Sequence, residues 1–272
     1  MRPVGETIGV IAGNGQFPRL FAETARAEGL HVVAVAHRGE TLPGLDPLVD
    51  HLTWIGVGEI ETMIEAFRAH GVKRAVMAGG IDKAGLLEHF APDARGLRML
   101  ERVTQWSDDT VLRELAAELE SEGIEVVAST MFLESILTTE GVLTSRAPDE
   151  AQWRDIRFGL DLLRAIGRFD VGQTVVVKAG MVLAVEAIEG TNAALRRGGA
   201  LGRAGAVAVK ASKPTQDLRF DVPAVGIETI TVCAEAGVAV LALEAGKTLM
   251  FDRDDLLRRA DEESLVVVGV RI

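Results

Sequence analysis

The chain has one cysteine, Cys233, and fewer cations than anions: 29 Lys and Arg against 40 Asp and Glu, a formal charge of −11. A lone thiol excludes an intrachain disulfide and favours a cytoplasmic address. No Cys/His spacing resembles a zinc site. So acidic a surface argues against general binding to nucleic acid or to a membrane surface, because both are polyanions. Any anionic ligand must be met by a local cluster of cations. Long hydrophobic runs are also missing. Lys178 and Glu186 interrupt the apolar stretch 173–187, and Glu235 interrupts 229–243, whereas a membrane span needs about 20 mostly apolar residues. The first apolar stretch, Ile8–Ala12, is too short for a signal peptide core. There is no Walker phosphate loop and no Gly-x-Ser-x-Gly elbow.

What is present fits one large domain or two ordinary ones in 272 residues. In the first half, continuous apolar runs at Ile8–Ala12, His31–Ala36, Arg74–Ala78 and Glu125–Ala128 read as strands buried on both faces. Amphipathic segments at 18–28, 59–70 and 108–122 alternate with them, ending in Gly29, Gly71 and Gly123. This pattern predicts a Rossmann-like parallel sheet over residues 1–135. Residues 136–272 predict a mixed α/β domain. It opens with a helix at 149–167 and continues with strands at 174–178, 181–187, 206–211, 238–243 and 265–270. Ala179-Gly180 would form a hairpin turn. The four glycines within 198–205 read as a mobile surface loop.

Several segments could carry chemistry. Gly13-Asn14-Gly15-Gln16-Phe17-Pro18 follows the first strand, where open α/β sheets bind ligands. Glycines there admit a ligand to the backbone, and the next helix start suits a phosphate. It is not a dinucleotide fingerprint, because Pro18 takes the third glycine position and the second strand ends in His37-Arg38 instead of an acid. That weighs against a nicotinamide-dependent enzyme. Ala78-Gly79-Gly80-Ile81-Asp82-Lys83 could face the same crevice, with Lys83 near a phosphate. Either loop could equally be a tight turn without a ligand.

The segment Lys210-Ala211-Ser212-Lys213-Pro214-Thr215-Gln216-Asp217-Leu218-Arg219-Phe220-Asp221-Val222-Pro223 is the most informative. Its cations Lys210, Lys213 and Arg219 and its carboxylates Asp217 and Asp221 suit a phosphate substrate carried with a divalent metal, or an ordinary solvated loop with surface ion pairs. Glu186, in an apolar run, reads as a metal-facing acid or as an exposed acid on an edge strand. Thr191 reads as a helix N-cap. Asp108 and Asp109 read as the start of a helix. The five histidines show no metal-ligand spacing. Cys233 reads as buried filler.

In order along the chain, Ile11–Pro18, Ser107-Asp108-Asp109, Asp170-Val171-Gly172-Gln173, Val182–Thr191 and Lys213–Gly226 together resemble the LpxI-type UDP-2,3-diacylglucosamine pyrophosphatases of lipid A synthesis. The resemblance covers about residues 7 to 270, and its last two motifs are the specific ones. It implies two domains with the active site in the cleft between them. It also implies Mg²⁺-dependent hydrolysis of the substrate pyrophosphate to UMP and 2,3-diacylglucosamine 1-phosphate. Matched position by position, Asp221 corresponds to the essential aspartate, with Lys213, Gln216, Asp217 and Arg219 on its motif. Gly13, Gly15 and Gln16 correspond to the substrate loop. The assignment is therefore Asp221, Lys213 and Arg219 as catalytic groups, and Asp221, Asp217 and Glu186 as Mg²⁺ ligands. Gly13, Gly15, Gln16, Gly79, Gly80, Lys83, Lys210, Gln216, Glu189 and Thr191 are assigned to the substrate. Asn192 stands where an aspartate is expected, Ser107 where a glycine is more usual, and Gly80-Ile81 where Asn-Val is more usual. The expected partner is a glycolipid nucleotide on the cytoplasmic side. Weak contact with the inner membrane and a homo-oligomer are both compatible with this reading. A non-catalytic nucleotide-sugar or lipid-binding regulator would use the same loops without needing Asp221, Glu186 or a metal.

Overall fold

The computed structural model describes residues 5–81, 90–103, 108–169, 171–214, 216–217, 219–220 and 222–271, without the side chains of residues 108 and 109. It contains two compact units. The first comprises Met1–Leu133 together with Asp217–Asp221, and the second Glu134–Gln216 with Val222–Ile272. The Lys213–Asp221 motif, assigned by sequence to residues 136–272, is thus divided: Lys213 and Gln216 belong to the second unit, called rear for its place in the sequence, and Asp217, Arg219 and Phe220 to the first, or front, unit.

In the first unit the strands are β1 (Thr7–Ala12), β2 (His31–His37), β3 (His51–Ile55), β4 (Arg74–Ala78) and β5 (Glu125–Val126). They form one parallel sheet in the order β3-β2-β1-β4-β5. The order reverses beside β1, which puts a crevice at the carboxyl ends of β1 and β4. Helices α1 (Phe17–Ala27), α2 (Ile60–Ala69), α3 (Ala94–Leu100) and α4 (Asp108–Ser121) accompany the sheet. The predicted alternation is therefore present. Sequence reading passed over β3 because that edge strand has a single buried residue, Ile55, and shows no continuous apolar run.

The second unit is a mixed α/β fold. Its strands are β6 (Gly141–Val142), β7 (Thr174–Lys178), β8 (Met181–Val185), β9 (Ala206–Lys210), β10 (Ala224–Val225), β11 (Val238–Glu244), β12 (Leu249–Met250) and β13 (Val266–Val270). Six of them form a sheet ordered β6-β13-β11-β9-β7-β8, in which β9, β11 and β13 run parallel. Strands β10 and β12 pair separately. Helix α5 (Glu150–Gly167) packs Ile156, Leu160 and Leu163 on Val175, Val177, Val207 and Val209. The opposite face, with Val176, Ala208 and Leu241, is covered by α6 (Thr191–Gly202), α7 (Ile227–Glu235) and α8 (Arg253–Glu262). This alternation is the period-two signature of a sheet buried on both sides. Asp149 caps α5 in a reciprocal capping box with Gln152.

Two expectations fail here. Residues 198–202 belong to α6 and are not a mobile loop. The glycines are there for space, since a Cβ on Gly198 would lie 2.5 Å from Val176 and one on Gly199 would lie 2.2 Å from the Ala236 carbonyl oxygen. Helix propensity is sacrificed so that α6 can approach β7 and α7 closely. The N-cap of α6 is Gly190, at φ +80°, and Thr191 is its first residue. The hairpin turn at Ala179-Gly180 is present, both residues having positive φ. Among the described residues no helix is long and apolar enough to cross a membrane.

Candidate functional site

The first unit builds its ligand-facing end from backbone. Gly13 N–H donates to the Ala78 carbonyl at 2.8 Å, and Asn14 N–H donates to the Gly80 carbonyl at 2.7 Å. The loops after β1 and β4 are therefore tied to each other. A Cβ on Gly13 would sit 2.2 Å from the Gly80 oxygen, and one on Gly79 would sit 2.3 Å from the Asn14 oxygen. Gly15 and Gly79 adopt φ of +79° and +87°, which side chains disfavour. Gly15, Gln16, Gly79 and Gly80 are exposed, and Gly13 is buried. Gln16 is the N-cap of α1 and makes no side-chain cap, and the first turn of α1 holds no acid. The structure thus ties together the two glycine loops that the sequence allowed to face one crevice. Lys83 lies outside the described residues.

A residue left unassigned by sequence, His37, supports this end. It is 5% exposed at the end of β2. Its Nδ1 lies 2.9 Å from the Ala12 carbonyl oxygen, to which the Thr41 hydroxyl also donates at 2.6 Å. Thr41 Oγ1 in turn accepts from His37 N–H at 2.9 Å. Asn14 Nδ2 donates to Glu40 at 3.3 Å. Burial pushes the His37 pKa below its ordinary value, against the upward pull of its bond to Ala12 and of Glu40 and Glu59. Only its place at a strand end, next to a glycine loop in space, could have singled it out.

The second unit arms its sheet end with side chains. Lys210, at the end of β9, is 6% exposed. Its Nζ donates to Thr191 Oγ1 at 2.7 Å, and the Thr191 hydroxyl donates to Glu186 Oε1 at 2.9 Å. Glu186 follows the last residue of β8, and its N–H donates to the Thr174 carbonyl at 2.8 Å. Its Oε2 is buried and has no hydrogen-bond partner. Three sequence-predicted residues, Lys210, Thr191 and Glu186, therefore come together, and Glu186 is neither inside β8 nor exposed. Glu189 turns elsewhere: it accepts from the Ala187 N–H at 3.0 Å and pairs with Arg197. The bond to its own backbone, with Arg197, holds its carboxyl below the usual range.

Lys213 and Gln216 close a turn on each other. Lys213 N–H donates to Gln216 Oε1 at 2.9 Å, and Gln216 N–H donates to the Lys213 carbonyl at 3.0 Å. Pro214 lies against Gly167, where a Cβ would come within 2.7 Å of its Cδ. Asp217 accepts from Arg219 at 2.8 Å and from Arg113 at 3.2 Å. The Arg219 bonds hold its carboxyl below, and the guanidinium above, their ordinary values. Arg219 also reaches Glu120 at 3.3 Å and lies over the Phe220 ring at 4.7 Å. Phe220 is 5% exposed, within the apolar core of the first unit beside Ile11, Met77 and Leu119. Sequence reading gave Phe220 no part, although an aromatic inside so polar a stretch was the available signal. Asp221, the next residue, lies outside the described residues.

No group of three or more His, Cys, Asp or Glu among the described residues could hold a metal ion. The Asp217 carboxylate is taken up by two arginines. Among the described proposed ligands, Glu186 has a buried oxygen, Oε2, without a hydrogen-bond partner. Arranged this way, the rear sheet end can neutralise an anion through Lys210, while the front loops can offer exposed backbone to a ligand.

The chain resembles known proteins along most of its length. The LpxI N-terminal domain model matches residues 7–136, and the LpxI C-terminal domain model matches residues 139–268. The chain is 37% identical over 277 aligned residues, 97% of each chain, to the UDP-2,3-diacylglucosamine pyrophosphatase LpxI of Caulobacter vibrioides. Among solved structures, the biotin carboxylase domain of Hydrogenobacter thermophilus 2-oxoglutarate carboxylase is 10% identical with a TM-score of 0.26, over 66% of this chain and 36% of that one. The L-amino acid ligase of Bacillus licheniformis is 13% identical with a TM-score of 0.28, over 68% and 40% respectively. The chain thus spans less than half the length of those two solved chains. With both domain models matched in order and a relative aligned almost end to end, the chain belongs to the LpxI family.

Proposed function

We propose that this protein hydrolyses the pyrophosphate of UDP-2,3-diacylglucosamine to UMP and 2,3-diacylglucosamine 1-phosphate. The observation that carries this reading is the alignment, over 97% of both chains, with a relative bearing that activity in its name. Water adds to one phosphorus of the diphosphate. The bridging P–O bond breaks, and the departing phosphate keeps the bridging oxygen. The protein's task is to hold the anion and offset the charge that develops on the phosphoryl oxygens.

Lys210 and Lys213 supply positive charge at the rear sheet end. Thr191 aligns Lys210 and passes its own proton bond to Glu186. The tied glycine loops with Gly13, Gly15, Gln16, Gly79 and Gly80 offer backbone to the nucleotide or sugar end, and Lys83, three residues after Gly80 in the sequence, is assigned to a substrate phosphate. Gln216 shapes the Lys213 turn. Asp217 serves to hold Arg219, its oxygens being engaged by guanidinium groups. Phe220 and the arginine pairs fix the stretch from which Asp221 continues. We assign Asp221 the essential carboxylate, orienting water or binding Mg²⁺, with Glu186 as a further carboxylate for the ion. Mg²⁺, when bound, would polarise phosphoryl oxygens. The same reading makes a glycolipid nucleotide the partner and leaves contact with the membrane surface to the substrate's acyl chains.

The test is Asp221→Ala assayed for UMP release with Mg²⁺ present. The expected result is a loss of about a thousandfold or more in kcat with an unchanged melting temperature. Undiminished turnover removes Asp221 from the mechanism. Binding of the substrate by the unaltered protein without any product would favour a non-catalytic binder instead.

A further inference from the structure

We propose that Glu244 is a positioning residue that fixes the Lys213 turn, an inference that rests on the pyrophosphatase reading above. Glu244 is the last residue of β11, and its neighbour Leu243 is in register with Lys210 of β9. The side chain is 3% exposed. Its Oε2 accepts from the Ser212 N–H at 2.7 Å and from the Ser212 hydroxyl at 2.5 Å, and its Oε1 lies 2.7 Å from Lys247 Nζ. A carboxylate is costly to bury, and only such full pairing makes it tolerable. A turn at the protein surface could be anchored more cheaply by an asparagine or a serine.

The place of the anchor gives it meaning. Ser212 directly precedes Lys213. One residue earlier, Ala211 N–H donates to the Gln173 carbonyl at 2.9 Å. After Lys213, Pro214 lies against Gly167 and Gln216 closes the turn. Glu244 therefore grips the backbone at the point where the chain leaves the sheet, and so sets where the Lys213 ammonium is delivered. A cation held in place before the reaction stabilises developing charge better than one that must be collected from solvent. Lys247 pairs with Oε1 of the buried carboxylate, while Oε2 accepts both Ser212 donors.

The full-length protein tests this with two readouts. Steady-state UMP release with Mg²⁺ is measured for the unaltered protein, Glu244→Gln, Lys213→Ala and the double variant, alongside thermal melts. The expected result is a kcat about tenfold lower in Glu244→Gln with KM within about twofold, and a double variant no slower than Lys213→Ala. Losses that multiply in the double variant overturn the proposal, because Glu244 would then act independently of Lys213. The second readout needs no turnover. Competitive acetylation followed by mass spectrometry should show Lys213 labelled about threefold faster in Glu244→Gln, with exposed Lys73 unchanged. If the unaltered protein releases no UMP yet Lys213 labelling responds, the pyrophosphatase reading fails and the anchor stands. If the enzyme turns over and neither readout moves, the anchor fails. Should Glu244→Gln not fold, Ser212→Ala takes its place in both assays, with a kcat about threefold lower expected; full activity and unchanged labelling in that folded variant overturn the proposal.

Discussion

The two units solve one problem with different materials. In each, parallel strands end in residues that we assign to the ligand. The front unit furnishes that end with peptide groups packed to the limit of contact, Gly13 on Gly80 and Gly79 on Asn14. The rear unit furnishes it with charged side chains, Lys210 linked to Glu186 through Thr191 and Ser212 gripped by Glu244. At Gly13 and Gly79 the backbone end tolerates no added atom, but it carries its donors wherever the strands go. A side-chain end tolerates substitution sterically, yet it depends on partners far apart in the chain. The Asp217–Phe220 stretch belongs to neither type. It is held in the front unit by one aromatic ring and by ion pairs.

The largest expected effect probes that third arrangement. Phe220→Ala should destabilise the protein by about 4 kcal/mol through the cavity left in the front core, and should abolish UMP release at the growth temperature; chemical denaturation and the UMP assay check it. Next, Gly13→Ala places a methyl 2.2 Å from a carbonyl oxygen. It should cost about 3 kcal/mol, whereas Lys210→Ala, at the rear end, should lower activity far more than stability. Comparable stability losses in both variants would erase the contrast drawn between the two ends.

Acid titration gives a smaller effect. The folded-state pKa of His37 is depressed below 6.5 by burial. The unfolded chain therefore binds the proton more readily, and this contribution to stability is complete above pH 6.5 and is lost as pH falls from there through the lowered folded value. Melting temperatures measured against pH should fall less steeply in His37→Asn. The smallest effect is at Cys233, whose thiol burial pushes up to about 12. A thiol reagent should leave the folded protein unmodified and react only on unfolding.

Much of this molecule could be read from its residues. The parallel sheet of the front unit was legible because its strands are apolar on both faces, and α5 because its helical pattern over 149–167 is strong. Glycines proved ambiguous. Those at 13, 15, 79 and 80 sit in loops as expected, while those at 198, 199 and 202 lie in a helix, because composition cannot distinguish a residue chosen for freedom from one chosen for smallness. Lys210, Thr191 and Glu186 could be nominated singly but not joined. His37, Phe220 and Glu244 went unread, since each acts on a neighbour many residues distant.

Local order therefore came from the chain itself: apolar periodicity, caps and turn residues chose helix or strand, and the ordered motifs indicated the family. Tertiary structure alone decided that the loops after β1 and β4 would be tied together, that Asp217, Arg219 and Phe220 would belong to the front unit, and that a buried glutamate would hold Ser212. Those outcomes depend on strand order and on satisfying buried polar groups. Both are properties of residues brought together in space, and neither leaves a periodic trace along the sequence.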